Sequence, residues 1–152
     1  MISQTIEYAL RAMSHLSTLG EDRAANSETI AEHTRVPHGY LSKIMRDLVV
    51  GGLVVSRRGP NGGFVLARPA ASISILDVVN AVDPISRIKR CPLGNPDHIQ
   101  LCPLHKRLDD ALQTIEQQFR ATTLEDLQAS SRRATVCRGL RVTASAKRGS
   151  AK

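Results

Sequence analysis

The stretch that decides the fold is SETIAEHTRVPHGYLSKIMRDLVVGGLVVSRRGPNGGFVL, residues 27 to 66. In its middle, from His38 to Val50, Leu41, Ile44 and Leu48 recur at helical spacing, a stripe that an α-helix turns to one side and buries. The same spacing turns Ser42, Lys43 and Arg46 outward. Gly51 and Gly52 follow, and glycine takes the left-handed backbone conformation that closes a helix. Leu53 to Arg57 then reads as a strand and Phe64 to Ala67 as its return partner. Between them Arg57-Arg58-Gly59-Pro60-Asn61-Gly62-Gly63 is a turn dense in glycine with two arginines at its base. Ahead of the central helix, Ser27 is placed to cap a shorter helix ending near His33. Thr34 to Gly39 supplies the turn, with Pro37 preset for entry into the next helix. Helix, turn, helix and basic hairpin in that order predict a winged helix-turn-helix, an architecture suited to reading DNA.

Upstream, residues 2 to 19 form a helix with Ile6, Leu10, Met13 and Leu16 on one stripe, ended by Gly20. Downstream, Ser74-Ile75-Leu76-Asp77 has the pattern of a capping box. It opens a helix to Val82 that buries Ile75, Val78, Val79 and Val82, and Asp83-Pro84 closes it. A long helix follows from about Leu104 to Thr122. Its Leu104, Leu108, Ala111, Ile115 and Gln118 approximate a heptad stripe, with Leu112 and Phe119 beside it. An apolar helix face projecting from a small domain needs a partner, and a two-fold homodimer is the economical one. Thr123 to Asp126 is a second capping box, starting a short final helix around Leu127. The fold class expected is mostly α: a winged helix-turn-helix domain (1–83), a cysteine-containing loop (84–103), a dimerisation helix with the final short helix (104–128) and a disordered basic tail (129–152).

Charge supports the same division. The net charge of +7 resides in residues 129 to 152, which hold seven Lys or Arg and no acid; the first 128 residues sum to zero. Within that neutral part, Arg35 to Arg68 carries six basic residues against Asp47 alone, whereas Asp97 to Asp126 carries six acids and three bases. Phosphate binding needs such a local positive patch, here on the reading head. Tyr40, Ser42, Lys43 and Arg46 on the helix, with Arg57, Arg58, Gly59 and Asn61 in the wing, are the expected DNA-contacting residues. The arginines suit a narrow minor groove. Tyr40 is placed either to reach a phosphate or base edge or to pack its ring on the first helix. No apolar run approaches bilayer length and the N-terminus has no signal-peptide pattern, so a cytoplasmic protein without membrane association is expected.

In a cytoplasmic protein three cysteines point to metal or redox chemistry before structural disulfides. Cys91 and Cys102 are each followed by Pro-Leu, and His105 lies three residues beyond Cys102 at the start of the long helix. Residues at that spacing share a helix face, so Cys102 and His105 suit one metal. Helix N-termini in general favour thiolate over thiol. Two free thiols in a proline-bounded loop is the alternative. Nothing supplies an orienting residue for nucleophilic catalysis, so an enzyme is not expected.

The residues of the first 128 positions resemble the Rrf-two (IscR- and NsrR-like) family of bacterial transcription regulators. The most specific segments are Val36-Pro37-His38-Gly39-Tyr40-Leu41-Ser42-Lys43 and Arg58-Gly59-Pro60-Asn61-Gly62-Gly63-Phe64. Ile75 to Asp83 and Thr122 to Leu127 match as well. The resemblance implies a homodimer on a pseudo-palindromic double-stranded DNA operator, acting as a repressor. It also implies an iron–sulfur cluster, of two-iron two-sulfur type, in the loop before the dimerisation helix, sensing redox, nitric oxide or iron–sulfur status. Many relatives use three cysteines there, whereas Pro92 to Leu101 contains none. The resemblance fills the set with Cys91, Cys102, His105 and Glu7, the last a first-helix carboxylate from the other subunit. By itself Glu7 reads as a solvated surface carboxylate. Mixed cysteine, histidine and carboxylate ligation also suits zinc, and a metal-free thiol switch between Cys91 and Cys102 is the remaining alternative.

Overall fold

The computed structural model describes residues 2–20, 23–90 and 101–133. Among these, six α-helices follow the order α1 (Gln4–Leu19), α2 (Ser27–Thr34), α3 (His38–Val50), α4 (Ile75–Val82), α5 (Pro103–Ala121) and α6 (Leu124–Arg133). An antiparallel hairpin, β1 (Val54–Arg57) and β2 (Gly63–Leu66), stands between α3 and α4, with Val54 opposite Leu66 and Arg57 opposite Gly63. This is the mostly helical winged helix-turn-helix expected from the sequence.

The core forms where the apolar stripes meet. Helix α1 buries Ile6, Ala9, Ala12, Met13 and Leu16, and α3 buries Leu41, Ile44, Met45 and Leu48 against them. Each fully buried large aliphatic side chain contributes about 1.5–3 kcal/mol, and with so few aromatics these side chains supply most of the packing. Ser3 caps α1 by accepting the Ile6 N–H at 3.3 Å, and its hydroxyl donates to Asp83 Oδ2 at 2.6 Å. The start of α1 is thereby fastened to the end of α4. The capping box at α4 is complete: Ser74 Oγ accepts from Asp77 N–H (3.1 Å) and Asp77 Oδ2 from Ser74 N–H (2.9 Å). The second box, at Thr123 and Asp126, forms too.

Several local expectations are corrected. Asn26, not Ser27, caps α2, accepting the Thr29 N–H at 2.8 Å. The reason is tertiary. Ala25 exchanges two backbone hydrogen bonds with Phe64, at 3.1 and 2.8 Å, so the chain stays extended up to Asn26 and edges β2 as a one-residue third strand. The connection from α2 to α3 is only Arg35 to Pro37. Arg35 takes the left-handed conformation there (φ 56°), and Gly39 belongs to α3. At the other end of α3, Gly51 keeps helical angles and Gly52 supplies the left-handed turn (φ 69°). A Cβ on Gly51 would stand 2.8 Å from that of Ala81, so Gly51 serves close packing on α4. Of the residues expected to be buried in α4, Val78 and Val79 are, whereas Ile75 and Val82, at its two ends, are half-buried and Leu76 is buried in addition. Residues 129–133 continue α6, where composition alone predicted the start of the tail. The rest of the tail, with Cys137, lies outside the described residues, as does Cys91.

Between α1 and α2 the His15 ring stacks on His33, centroids 4.8 Å apart at 25°, while His33 Nδ1 lies 2.8 Å from Thr29 O. The His15 Nε2 is buried with no hydrogen-bond partner among the described residues. Burial, then the neighbouring His33, lowers the His15 pKa below its ordinary value. An unfolded histidine takes up its proton near pH 6.5. The unfolded chain therefore binds more protons than the folded one below that point, and stability falls with pH until the folded-state pKa is passed. Urea unfolding is expected to show this loss between pH 7 and pH 5.5, and His15→Leu to reduce it. Identical pH slopes for the two proteins would show that His15 is not the group responsible.

Candidate DNA interface and thiol site

All eight residues expected to meet DNA are exposed, four on α3 and four in the hairpin that follows it. Tyr40, Ser42, Lys43 and Arg46 lie on the outer side of α3, since Leu41, Ile44, Met45 and Leu48 occupy the inner one. Arg57 ends β1, and Arg58, Gly59 and Asn61 make the wing turn, which the Gly62 N–H closes onto Gly59 O at 2.9 Å. Among the described residues no carboxylate pairs with Lys43, Arg46, Arg57 or Arg58. Unpaired, outward cations on a helix and its adjoining hairpin are the arrangement that binds phosphate and reads base edges.

Of the two placements considered for Tyr40, the structure forms the contact with the first helix: its ring meets Tyr8 of α1 edge-on, centroids 6.0 Å apart at 73°. The residue is 55% exposed. Tyr8 is in turn beneath the Arg11 guanidinium, 5.8 Å away. Arg11 pairs with Glu7 one turn back and donates to Thr34 O at 3.4 Å, at the end of α2. Glu7 therefore sits in a surface ion pair on α1, joined through Arg11 and Tyr8 to the first turn of α3.

Sequence reading missed Arg23. The Ala25–Phe64 pairing brings the α1–α2 connection beside the wing tip, where Arg23, Asn26, Thr29, Asn61 and Gly62 border a cleft of about 480 Å³. A single residue pairing with a distant strand leaves no periodic signal, so only the fold reveals Arg23 on the rim of this cleft beside the wing turn.

Cys102 is the residue before α5, with Pro103 in the first turn. Its Sγ lies 3.2 Å from His105 Nδ1, so the spacing expected to bring thiol and imidazole together does so. Both are half-buried. As soft thiolate and borderline imidazole donors they fit two positions of an iron–sulfur or zinc site. Glu7 is not gathered with them within the chain, and no cluster of three metal-ligating side chains occurs among the described residues. On its outer side α5 exposes Leu104 (65%), Leu108 (48%) and Ile115 (40%), the predicted heptad stripe, and none of its residues is buried. No helix among the described residues is long and apolar enough to cross a membrane.

Comparison with known proteins places this geometry. The family model described as Rrf2, iron-dependent transcriptional regulator, matches residues 2–130. A protein of Aquifex aeolicus named as an HTH-type transcriptional regulator is 32% identical over 136 residues, spanning 84% of this chain and 90% of that one. The structure of CymR (YrzC), the global cysteine regulator of B. subtilis, superposes with a TM-score of 0.71 at 25% identity, covering 86% of this chain and 97% of its own. IscR of T. potens shares the fold, with a TM-score of 0.75 at 22% identity over 89% and 90% of the two chains. The chain belongs to the Rrf2 family, and it is a DNA-binding transcriptional regulator.

Proposed function

We propose that this regulator is a homodimeric repressor of a pseudo-palindromic operator, and that the state of the Cys102–His105 pair sets its affinity for DNA. The observation that carries the reading is the position of that pair. Sγ and Nδ1 stand 3.2 Å apart in the first turn of the helix whose apolar stripe is uncovered. A change at Cys102 therefore acts at the start of the element that suits a second copy. Two copies joined along Leu104, Leu108, Ala111 and Ile115 would present two α3 helices and two wings to successive turns of the duplex.

Cys102 and His105 would hold an iron–sulfur cluster together with Cys91 and Glu7 of the partner subunit. Cys91 lies outside the described residues. When bound, such a cluster supplies redox chemistry tuned by its mixed ligands and open to oxidant, nitric oxide or iron supply. The chain's own part is to fix the thiolate and imidazole on one helix face. On α1 it holds Glu7 on Arg11, whose hydrogen bond to Thr34 O reaches the helix-turn-helix.

Protein purified without oxygen is expected to show visible bands with about two irons and two sulfides per subunit. Cys102→Ser and His105→Ala should lose or shift those bands. Holo and apo protein should then differ by about 5- to 150-fold in affinity for a duplex enriched from a random pool. Equal affinities would remove the sensing reading and leave the DNA-binding one.

A metal-free thiol switch has its own support. Glu7 is engaged by Arg11, and Cys102 meets His105 directly. An iron-free, colourless protein that reversibly loses two thiols on oxidation, with a matching change in DNA affinity, would select this second reading.

A further inference from the structure

Helix α5 packs along α4 and is hydrogen-bonded to the winged domain at two places. Near its C-terminal end, Ile75 N–H donates to Thr122 O and Leu124 N–H to Ile73 O, both at 2.9 Å. Along its middle a single arginine from the segment after α4 reaches across. Arg87 Nε and Nη2 donate to the two carboxylate oxygens of Asp109, each at 2.6 Å, and Nη1 donates to Glu116 Oε2 at 3.2 Å. The Ile88 N–H adds a bond of 3.0 Å to Asp109 Oδ1. Asp109 and Glu116 lie two helical turns apart on a face distinct from the apolar stripe. All three side chains are half-buried, and Arg87 holds the Asp109 carboxyl down at a pKa of about 2. The clamp therefore stays ionised across the physiological range. A bidentate arginine–carboxylate pair fixes direction as well as distance, which a lysine does not.

No residue of α5 is fully buried, so beyond its packing along α4 these two attachments fix its direction on the domain. From the Thr122 attachment to Asp109 is a lever of about 20 Å. A swivel of about 10° moves its end by about 3.5 Å, close to the rise of one base pair. We propose that Arg87 is a positioning residue: by fixing the angle of α5 it sets the separation of the two recognition helices, and so the half-site spacing the dimer accepts. The inference rests on the homodimer reading above.

The test uses the full chain, a duplex enriched from a random pool by the wild-type protein, and two versions with the central spacer lengthened or shortened by one base pair. Sedimentation equilibrium comes first. A monomeric wild type would overturn the dimer reading, and this inference with it, before DNA is added. Given a dimer, the wild type is expected to prefer its own spacing by about tenfold or more, in line with the cost of a mismatched position. Arg87→Ala should remain dimeric and bind the three duplexes within about twofold of one another, and Arg87→Lys should fall between. If Arg87→Ala does not fold, Glu116→Gln, which weakens only the outer contact, should still narrow the preference. Undiminished spacing preference overturns the proposal. So does an equal proportional loss on all three duplexes, because that is what a merely weakened fold produces.

Discussion

Gly63→Ala is expected to lower the melting temperature by roughly 10 °C and to weaken DNA binding even with α3 untouched. Gly63 opens β2 with φ 145°, in the region L-residues avoid, directly across from the Ala25 backbone. A Cβ there would lie 2.5 Å from the Ala25 carbonyl carbon and 2.8 Å from Asn26 N, and it would press on the Ala25 carbonyl oxygen. These are backbone atoms, so no side chain can turn aside. Backbone strain costs about 1–3 kcal/mol and forced overpacking about the same again. Relief requires breaking the Ala25–Phe64 pairing that ties the wing to the start of α2. Losing it would also free the wing turn, with Arg57 and Arg58, from its place beside the α1–α2 connection, and part Asn61 from the cleft it borders with Arg23. Gly39→Ala is the contrast. It lies in α3 with nothing within 4 Å of where a Cβ would stand, so it should stabilise by about 0.5–1 kcal/mol. Thermal unfolding decides, and a melting temperature for Gly63→Ala within about 2 °C of wild type would mean that the wing does not depend on this contact.

The residues that carried the sequence reading were those whose signal is local. Apolar stripes in α1, α3 and α5 and the capping boxes at Ser74 and Thr123 depend on neighbours within a turn or two, and all formed. The Cys102–His105 contact was legible for the same reason, since i and i+3 share a helix face. What stayed hidden depends on distant pairing. Ser27 and Asn26 are equally good caps in isolation, and Phe64, far along the chain, decides between them by holding Ala25. Gly51 looked like a helix stop, but Ala81 on α4 is what requires it. Arg87 has no periodicity and no motif, so its bond to Asp109 could not be foreseen. Glu7 was singled out as a ligand from resemblance. Within one chain its carboxylate meets Arg11, four residues on, a pairing that helical spacing alone makes available.

The second large effect concerns the reading helix itself. Arg46→Ala is expected to weaken binding to the selected duplex by about 5- to 150-fold, corresponding to roughly 1–3 kcal/mol for a base-reading arginine. Sequence preference at one position of each half-site should relax with it. Arg46 stands one turn beyond Ser42 and Lys43 on the exposed side of α3, and no carboxylate among the described residues competes for it. Its removal leaves Leu41, Ile44, Met45 and Leu48 packed as before, so melting temperature and dimerisation should hold. Arg58→Ala offers the comparison. From the wing turn it is placed for phosphate or minor groove, so its loss should weaken all duplexes alike and reduce the salt slope of log affinity by about one. Titrations at three salt concentrations, on selected and scrambled duplexes, separate the two roles. A parallel loss on both duplexes for Arg46→Ala would assign it to the phosphate backbone. Unchanged affinity would mean that α3 does not enter the groove, and the reading head would have to be sought on the wing and the Arg23 rim.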